Sequence, residues 1–169
     1  YIGWGVCDGV ATNPTILMKA GVSSQADIKV RSQQIANLID PRPLSVEVTS
    51  DEPEEMARQV AEYVTWAPNI AVKITITDSQ GQSLLPQIYQ QATAGVRINV
   101  TAMMTLNQAM LAAISLENGT KAAANKPWGP HFLSVFGGRV SEEHGVGTAS
   151  KILKDLRQWL DLHNFSSEI

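Results

Sequence analysis

The sequence predicts an α/β fold built on a parallel β-sheet, in one domain over residues 1–169. Short apolar runs alternate with longer helical patterns, without an internal repeat or a linker, and this alternation is typical of strand–helix–strand units. An eight-stranded barrel takes about 31 residues per unit, so that this chain corresponds to roughly five and a half units. Five strands and the beginning of a sixth are indicated. The pattern therefore predicts either a small open sheet or part of a barrel.

Two strands and a helix are indicated in the first part of the chain. The apolar run of residues 6–11 predicts the first strand. We expect it to stop at the Asn13-Pro14 pair, because the residue before a proline avoids the helical region. Residues 43–49 form the second strand. Ser50 or Asp51 is expected to cap the helix that follows, and Pro53 suits its first turn.

The later part of the chain continues the alternation. Gly95 is expected to close one helix, Thr105 to cap the next, and the Asn118-Gly119 pair indicates a loop rather than a helix. The predicted strands are 69–77, 96–101 and 131–136. Residues 84–94 are a predicted helix, and 149–163 are the clearest one. The loop is 117–130, and residues 166–169 resemble the beginning of another strand.

The predicted strands carry polar residues at every second position. Apolar residues occupy one face of four successive strands, and the other face is mixed. A parallel sheet covered on both faces should instead be apolar throughout. In a barrel the mixed face is the interior, and active sites form at the carboxyl ends of its strands. The polar positions are Ser45 and Glu47, Lys73 and Thr75, Asn99 and Thr101, and Ser134.

Lys73 is the most informative of these polar residues. A lysine between Val72 and Ile74 would be costly to bury unless its amine were neutral or paired. A neutral amine can attack a carbonyl carbon. The alternative is a lysine that reaches water from the end of its strand. Glu47 is either a general acid and base or a partner that keeps Lys73 charged, and spacing alone does not decide between these roles.

Composition excludes several classes of partner. The net charge of −3, with no basic stripe, argues against nucleic acid and against an anionic membrane surface, and no apolar run is long enough to span a bilayer. The single cysteine, Cys7, excludes an internal disulfide and fits a reducing compartment, so that a cytoplasmic location is expected. His131, His144 and His163 lack metal-ligand spacing, and no metal site is expected.

Five short segments, in order along the chain, resemble the transaldolase family. Residues 9–16 (GVATNPTI) are similar to its G-V-T-T-N-P-S/T-I signature, and residues 72–77 (VKITIT) to the V-K-I-P-x-T strand that carries its Schiff-base lysine. The others are 95–101 (GVRINVT), 108–109 (QA) and 134–139 (SVFGGR). The length and residues 44–48 resemble the small-subunit branch, which includes fructose-6-phosphate aldolase. Departures are Ala11 for threonine, Thr75 and Val135 for prolines, and a longer segment 116–130.

The resemblance implies a (βα)8 TIM barrel of the class I aldolase type, of which residues 1–169 hold strands two to six and the beginning of strand seven. The family's proton-transfer aspartate, on the first strand, and a serine on a late strand would then lie outside this sequence. The family also forms rings of small subunits, so that a homo-oligomer is expected of the full-length protein.

The resemblance also implies a function in carbohydrate metabolism, in the pentose phosphate pathway. A transaldolase would move a dihydroxyacetone unit from fructose 6-phosphate or sedoheptulose 7-phosphate to an aldose phosphate, through a Schiff base on Lys73 and with no cofactor or metal. Glu47 would transfer protons through a water that Thr101 positions. Arg139 would bind the substrate phosphate together with Ser134. The expected substrate-binding residues are Thr12, Asn13, Asn99, Ser134, Phe136 and Arg139.

Two alternatives remain open at this point. Fructose-6-phosphate aldolases that resemble this chain carry tyrosine where Phe136 stands, so that Phe136 favours transaldolase. A catalytically impaired barrel protein is the other alternative.

Overall fold

The computed structural model describes residues 2–169, in which five strands and seven α-helices alternate. The strands are Val10–Ala11 (β1), Leu44–Glu47 (β2), Ile70–Thr75 (β3), Ile98–Met103 (β4) and Phe132–Val135 (β5). The helices are Pro14–Lys19 (α1), Gln25–Ile39 (α2), Pro53–Tyr63 (α3), Leu85–Thr93 (α4), Leu106–Ala122 (α5), Gly137–His144 (α6) and Thr148–His163 (α7). The chain forms two compact units, one ending at Lys73 and the other beginning at Ile74. None of the helices in the described residues is long and apolar enough to cross a lipid bilayer.

The first unit is built on three parallel strands. β1 pairs with β2, and β2 pairs with β3, in registers that place Leu44 opposite Ile70 and Glu47 opposite Lys73. Side chains at paired positions of neighbouring strands project to the same face of a sheet. The register therefore brings Glu47 and Lys73 side by side. The buried apolar core of this unit includes Ile39, Leu44, Val46, Met56, Val60, Tyr63 and Val72.

The second unit also contains parallel strands. β4 pairs with β5, and the backbone nitrogen of Ile76 donates to the carbonyl of Thr101 at 2.9 Å. Glu168 forms a parallel bridge to Phe132, as expected if residues 166–169 begin a strand. The core includes Ile74, Ile88, Ile98, Leu116, Leu133, Leu156 and Leu160. The α/β class with parallel strands is thus confirmed.

The first predicted strand, residues 6–11, is longer than the observed one. β1 covers only Val10–Ala11, since its partner β2 begins at Leu44, which lies opposite Val10. A strand needs a neighbour to satisfy its backbone groups. Residues 6–9 have no part of β2 opposite them and form no strand.

Three helices, α1, α2 and α6, are not indicated by the apolar pattern. The reason is clearest in α2, whose buried residues are Ser32, Ala36 and Ile39, while Val30 and Leu38 are exposed. Small and polar side chains on the buried face give a weak apolar stripe. Ser24 marks the beginning of α2, because its side chain accepts a hydrogen bond from the backbone nitrogen of Asp27 at 3.1 Å.

The prediction of a loop over residues 117–130 is wrong in its first part, because α5 continues to Ala122. Gly119 lies in this helix where it packs on α4. A Cβ atom there would lie 2.5 Å from the Cβ of Ala92 and 2.9 Å from the carbonyl oxygen of Tyr89. The glycine thus permits close helix packing rather than a turn.

The capping predictions have mixed outcomes. Neither Ser50 nor Asp51 is the N-cap of α3; that position is Glu52, and the Ser50 hydroxyl instead accepts from the backbone nitrogen of Glu52 at 3.1 Å. The prediction for Thr105 is confirmed, since its side chain and that of Gln108 form a capping box at the beginning of α5.

Candidate active site

Lys73 and Glu47 form a largely buried ion pair on neighbouring strands. The Lys73 Nζ lies 2.9 Å from the Glu47 Oε2, and Lys73 is only 7% exposed. Lysine is almost never buried without a partner. The lysine therefore does not reach water from its strand, which was the alternative left open by the sequence.

The pair is suited to proton transfer. At 2.9 Å the carboxylate and the amine are within hydrogen-bond distance, so that a proton can pass directly between them. Glu47 is more exposed than Lys73, with side-chain exposures of 19% and 9%. The carboxylate can therefore exchange protons with solvent or substrate while the amine remains enclosed.

Thr12 and Asn13 follow β1 and are held by local hydrogen bonds. Thr12 is buried, and its hydroxyl donates to the carbonyl of Ser45 at 3.1 Å. Asn13 is the N-cap of α1, and its Oδ1 accepts from the backbone nitrogen of Ile16 at 2.8 Å. Both residues are therefore fixed at the carboxyl end of β1, and the Asn13 side-chain oxygen has a structural partner.

Asn99 and Ser134 meet on neighbouring strands of the second unit. The Ser134 hydroxyl donates to the Asn99 Oδ1 at 2.8 Å, and Asn99 is buried. The sequence interpretation placed Ser134 with Arg139 at a phosphate. In the structure its hydroxyl proton is directed to Asn99, which orients the amide of that residue.

Thr101 carries a buried hydroxyl on β4. The residue is 1% exposed, and no group within residues 2–169 makes a hydrogen bond to its Oγ1. The strand is irregular here, with a shift in register between Val100 and Met103 and a positive φ of 60° at Ala102. Such backbone strain in a non-glycine residue clusters at functional sites. The hydroxyl is suited to a small polar group such as water or a sugar hydroxyl.

Phe136 and Arg139 lie at the beginning of α6. Phe136 is the N-cap residue and is 36% exposed, while Arg139 is exposed in the first turn. Its guanidinium and the backbone N–H groups of that turn are both favourable for an anion.

His131 supports the beginning of β5 as a neutral imidazole. Its Nδ1 accepts from the backbone nitrogen of Ile98 at 3.0 Å, and its Nε2 lies 2.8 Å from the Thr120 hydroxyl. A backbone N–H can only donate, so that Nδ1 carries no proton and Nε2 carries one. Burial, together with the positive charge of Arg97, lowers the pKa of His131 to about 4.

We expect acid to destabilise the protein through His131. The unfolded histidine has a pKa near 6.5, so that below this value the unfolded chain binds a proton that the folded chain does not. The contribution of His131 to the free energy of unfolding is thus fully present above about pH 6.5 and is lost as the pH drops toward 4. The contribution lost at pH 5 is about 2 kcal/mol. Urea unfolding at pH 7.5 and pH 5 measures it.

Carboxyl groups also titrate in acid, so that variants isolate the histidine. His131→Gln keeps an acceptor for Ile98 but cannot take up a proton, and should lose this part of the pH dependence. His144→Gln, at an exposed histidine, should retain it. Equal pH dependence in the wild type and His131→Gln would contradict the prediction.

Gln59 is a residue of this region that sequence reasoning missed. It is 6% exposed, and its side-chain oxygen accepts from the backbone nitrogen of Thr49, two residues beyond Glu47, at 2.8 Å. A glutamine in the middle of a charged, amphipathic helix resembles a surface residue. Nothing in the sequence distinguishes it.

The chain matches a family model over its whole length and individual proteins over most of it. A family model described as transaldolase/fructose-6-phosphate aldolase matches residues 1–169. A protein of Dehalococcoides mccartyi named "probable transaldolase" is 36% identical over 138 residues, which are 82% of this chain and 55% of that protein. Proteins of the same name from Lactiplantibacillus plantarum and Roseiflexus castenholzii are 34% and 35% identical over 98% and 97% of this chain. The chain spans 65% of the length of each of these two relatives.

Proposed function

Because this chain belongs to the transaldolase and fructose-6-phosphate aldolase family, we propose that it is a transaldolase that works through a Schiff base on Lys73. The observation that carries the proposal is the buried Lys73 amine, 2.9 Å from the Glu47 carboxylate. An enclosed amine beside a group that can take its proton has what attack on a ketone requires.

The reaction begins at the C2 carbonyl of a ketose phosphate. Glu47 takes a proton from the Lys73 ammonium, and the amine nitrogen bonds to C2 to give a carbinolamine. Protonation of its hydroxyl and loss of water leave an imine, with Glu47 as the proton donor. The protonated imine accepts the electron pair of the C3–C4 bond as that bond breaks. The C4 hydroxyl gives its proton to a base, a role that the family resemblance assigns to the aspartate of the first strand, and an aldose phosphate is released. The remaining dihydroxyacetone enamine then adds to the carbonyl carbon of an acceptor aldose phosphate, whose oxygen takes up a proton. Water hydrolyses the resulting imine, which releases the new ketose phosphate and regenerates the Lys73 amine.

The other candidate residues bind and orient the substrate in this proposal. The Thr101 hydroxyl positions the water through which Glu47 moves protons. Asn99 and Asn13 hydrogen-bond sugar hydroxyls, and Thr12 lines the substrate site beside Asn13. Arg139 binds the phosphate by charge-assisted hydrogen bonds at the beginning of α6. Its exposed position in the first turn of that helix supports this role.

The proposal carries the family's wider properties with it. The single domain over residues 1–169 is then part of a (βα)8 barrel, the substrates are sugar phosphates, and the full-length enzyme is a homo-oligomer in the cytoplasm. Neither a metal nor a cofactor is required, because the imine itself withdraws the electrons. Each of these stays a prediction.

Transfer and cleavage can be separated by the requirement for an acceptor. We expect the full-length protein to release glyceraldehyde 3-phosphate from fructose 6-phosphate continuously only when erythrose 4-phosphate is present, with sedoheptulose 7-phosphate as the second product. Continuous release of dihydroxyacetone without an acceptor would instead support the alternative, a fructose-6-phosphate aldolase. Release under neither condition would favour an impaired barrel protein.

Phe136→Tyr is expected to shift the activity toward cleavage. A phenol at this position could donate a proton to the enamine, which would let dihydroxyacetone leave without an acceptor. We expect acceptor-independent release of dihydroxyacetone to rise at least about tenfold, on the scale that a positioned proton donor contributes. Phe132→Tyr, on β5, adds the same hydroxyl elsewhere and should not change it. An unchanged rate in Phe136→Tyr would count against this role for the position.

A further inference from the structure

A buried glutamine holds the segment that follows Glu47. The side-chain oxygen of Gln59 accepts from the backbone nitrogen of Thr49 at 2.8 Å, and its side-chain nitrogen donates to the Thr49 hydroxyl at 3.2 Å. An amide that is 6% exposed would be costly to bury without such bonds. Gln59 and Thr49 therefore hold each other through two hydrogen bonds that join α3 to the end of β2.

Two neighbouring elements thus hold the backbone just beyond Glu47. The backbone nitrogen of Val48 donates to the carbonyl of Lys73 at 3.0 Å, which joins this segment to β3. The next residue, Thr49, is held from α3 by Gln59. The Glu47 carboxylate is therefore placed 2.9 Å from the Lys73 amine by a backbone that is anchored on both sides.

The orientation of the Gln59 amide is itself fixed. Its nitrogen donates to the Glu55 Oε1 at 3.2 Å, and Glu55 accepts from the Nε and Nη2 of Arg58, each at 2.7 Å. The hydrogen bond from Arg58 lowers the pKa of Glu55 below its ordinary value, so that Glu55 remains an acceptor. The amide nitrogen must then face Glu55, and the amide oxygen must face the Thr49 N–H.

We propose that Gln59 is a positioning residue, which keeps the Glu47 carboxylate against the Lys73 amine during the proton transfers of imine formation. The inference rests on the proposed function. Proton transfer between two side chains requires close contact, and a displacement of about 1 Å can cost up to about a hundredfold in rate. The Gln59 side-chain amide, by holding Thr49, therefore controls the placement of the Glu47 carboxylate two residues earlier.

The test is Gln59→Met, which keeps the size of the side chain and removes its hydrogen bonds. Two rates at Lys73 should change in opposite directions. Formation of the borohydride-trapped adduct with fructose 6-phosphate should slow about tenfold, because the acid–base group is misplaced. Reductive methylation of Lys73 by formaldehyde at pH 8 should become at least about twofold faster, because an amine released from its 2.9 Å contact with the Glu47 carboxylate is freer to react with a small aldehyde.

Two further variants calibrate the measurement, at a temperature well below the unfolding midpoint of each. Glu47→Gln removes the carboxylate itself, and should also slow formation of the sugar adduct and speed methylation of Lys73. Gln91→Met makes the same substitution at another buried glutamine, 8% exposed on α4, and should leave both rates within about twofold of the wild type.

Both rates within twofold of the wild type in Gln59→Met would overturn the proposal, as would a change of both in one direction. The failure of the proposed function looks different. If the wild type forms no sugar adduct, the Schiff-base function fails, while the methylation rates still decide whether Gln59 holds Glu47 against Lys73.

Discussion

Replacing Lys73 with methionine is expected to abolish transfer of the dihydroxyacetone unit, with a loss of at least about 10⁴-fold in kcat. Methionine keeps most of the volume of the lysine side chain on β3, but no nucleophile remains to form the imine. The assay is formation of sedoheptulose 7-phosphate from fructose 6-phosphate and erythrose 4-phosphate.

A loss of folding must be distinguished from a loss of chemistry, because removing Lys73 leaves Glu47 unpaired. Lys73→Arg keeps the positive charge beside Glu47 but is always protonated, so that it should be as inactive as Lys73→Met. Lys121→Met removes a lysine that is paired with Glu117 at 3.4 Å on the surface of α5, and should be fully active. Activity within about a hundredfold of the wild type in either Lys73 variant would contradict the covalent mechanism.

Replacing Glu47 with glutamine is expected to reduce kcat by about 10²–10⁴-fold, the usual contribution of a positioned acid–base group. The amide oxygen can still accept a hydrogen bond from Lys73, so that the geometry of the pair is largely kept while proton transfer is lost. We expect KM to change little, since Glu47 acts on the reacting atoms rather than on binding.

The control for this prediction is Glu117→Gln, which removes a half-buried carboxylate paired with the exposed Lys121 on α5 and should leave kcat unchanged. If Glu47→Gln lowered kcat by less than about threefold, Glu47 would be only the partner that keeps a buried lysine charged. That result would choose the structural role over the catalytic one.

Much of the strand arrangement could be predicted from the sequence, because it follows from alternation. The period of two placed Lys73 and Glu47 each on the mixed face of its strand, and the structure confirms four of the five strands within a few residues at either end. The family resemblance is confirmed by the model that matches the whole chain. The register that sets these two residues opposite each other was not predictable, because it depends on pairing between residues 26 positions apart in the sequence, such as Glu47 and Lys73.

Other features depend on packing that no local pattern reveals. Gly119 resembles a turn residue because glycine favours turns, but it lies inside α5 where Ala92 approaches closely. The helix α2 buries Ser32 and Ala36 and so lacks a strong apolar stripe. Gln59 resembles any exposed glutamine until the fold turns it toward Thr49. In each case the neighbouring element decides what the residue does.

The most direct test of the account is to identify the residue that bonds to the sugar. The full-length wild-type protein is incubated with fructose 6-phosphate, reduced with borohydride and digested with trypsin, which does not cleave after a modified lysine. We expect a reduced three-carbon adduct on the peptide covering residues 59–97, in which Lys73 is the internal lysine. An adduct on another lysine, or complete cleavage after Lys73 with no adduct, would contradict it.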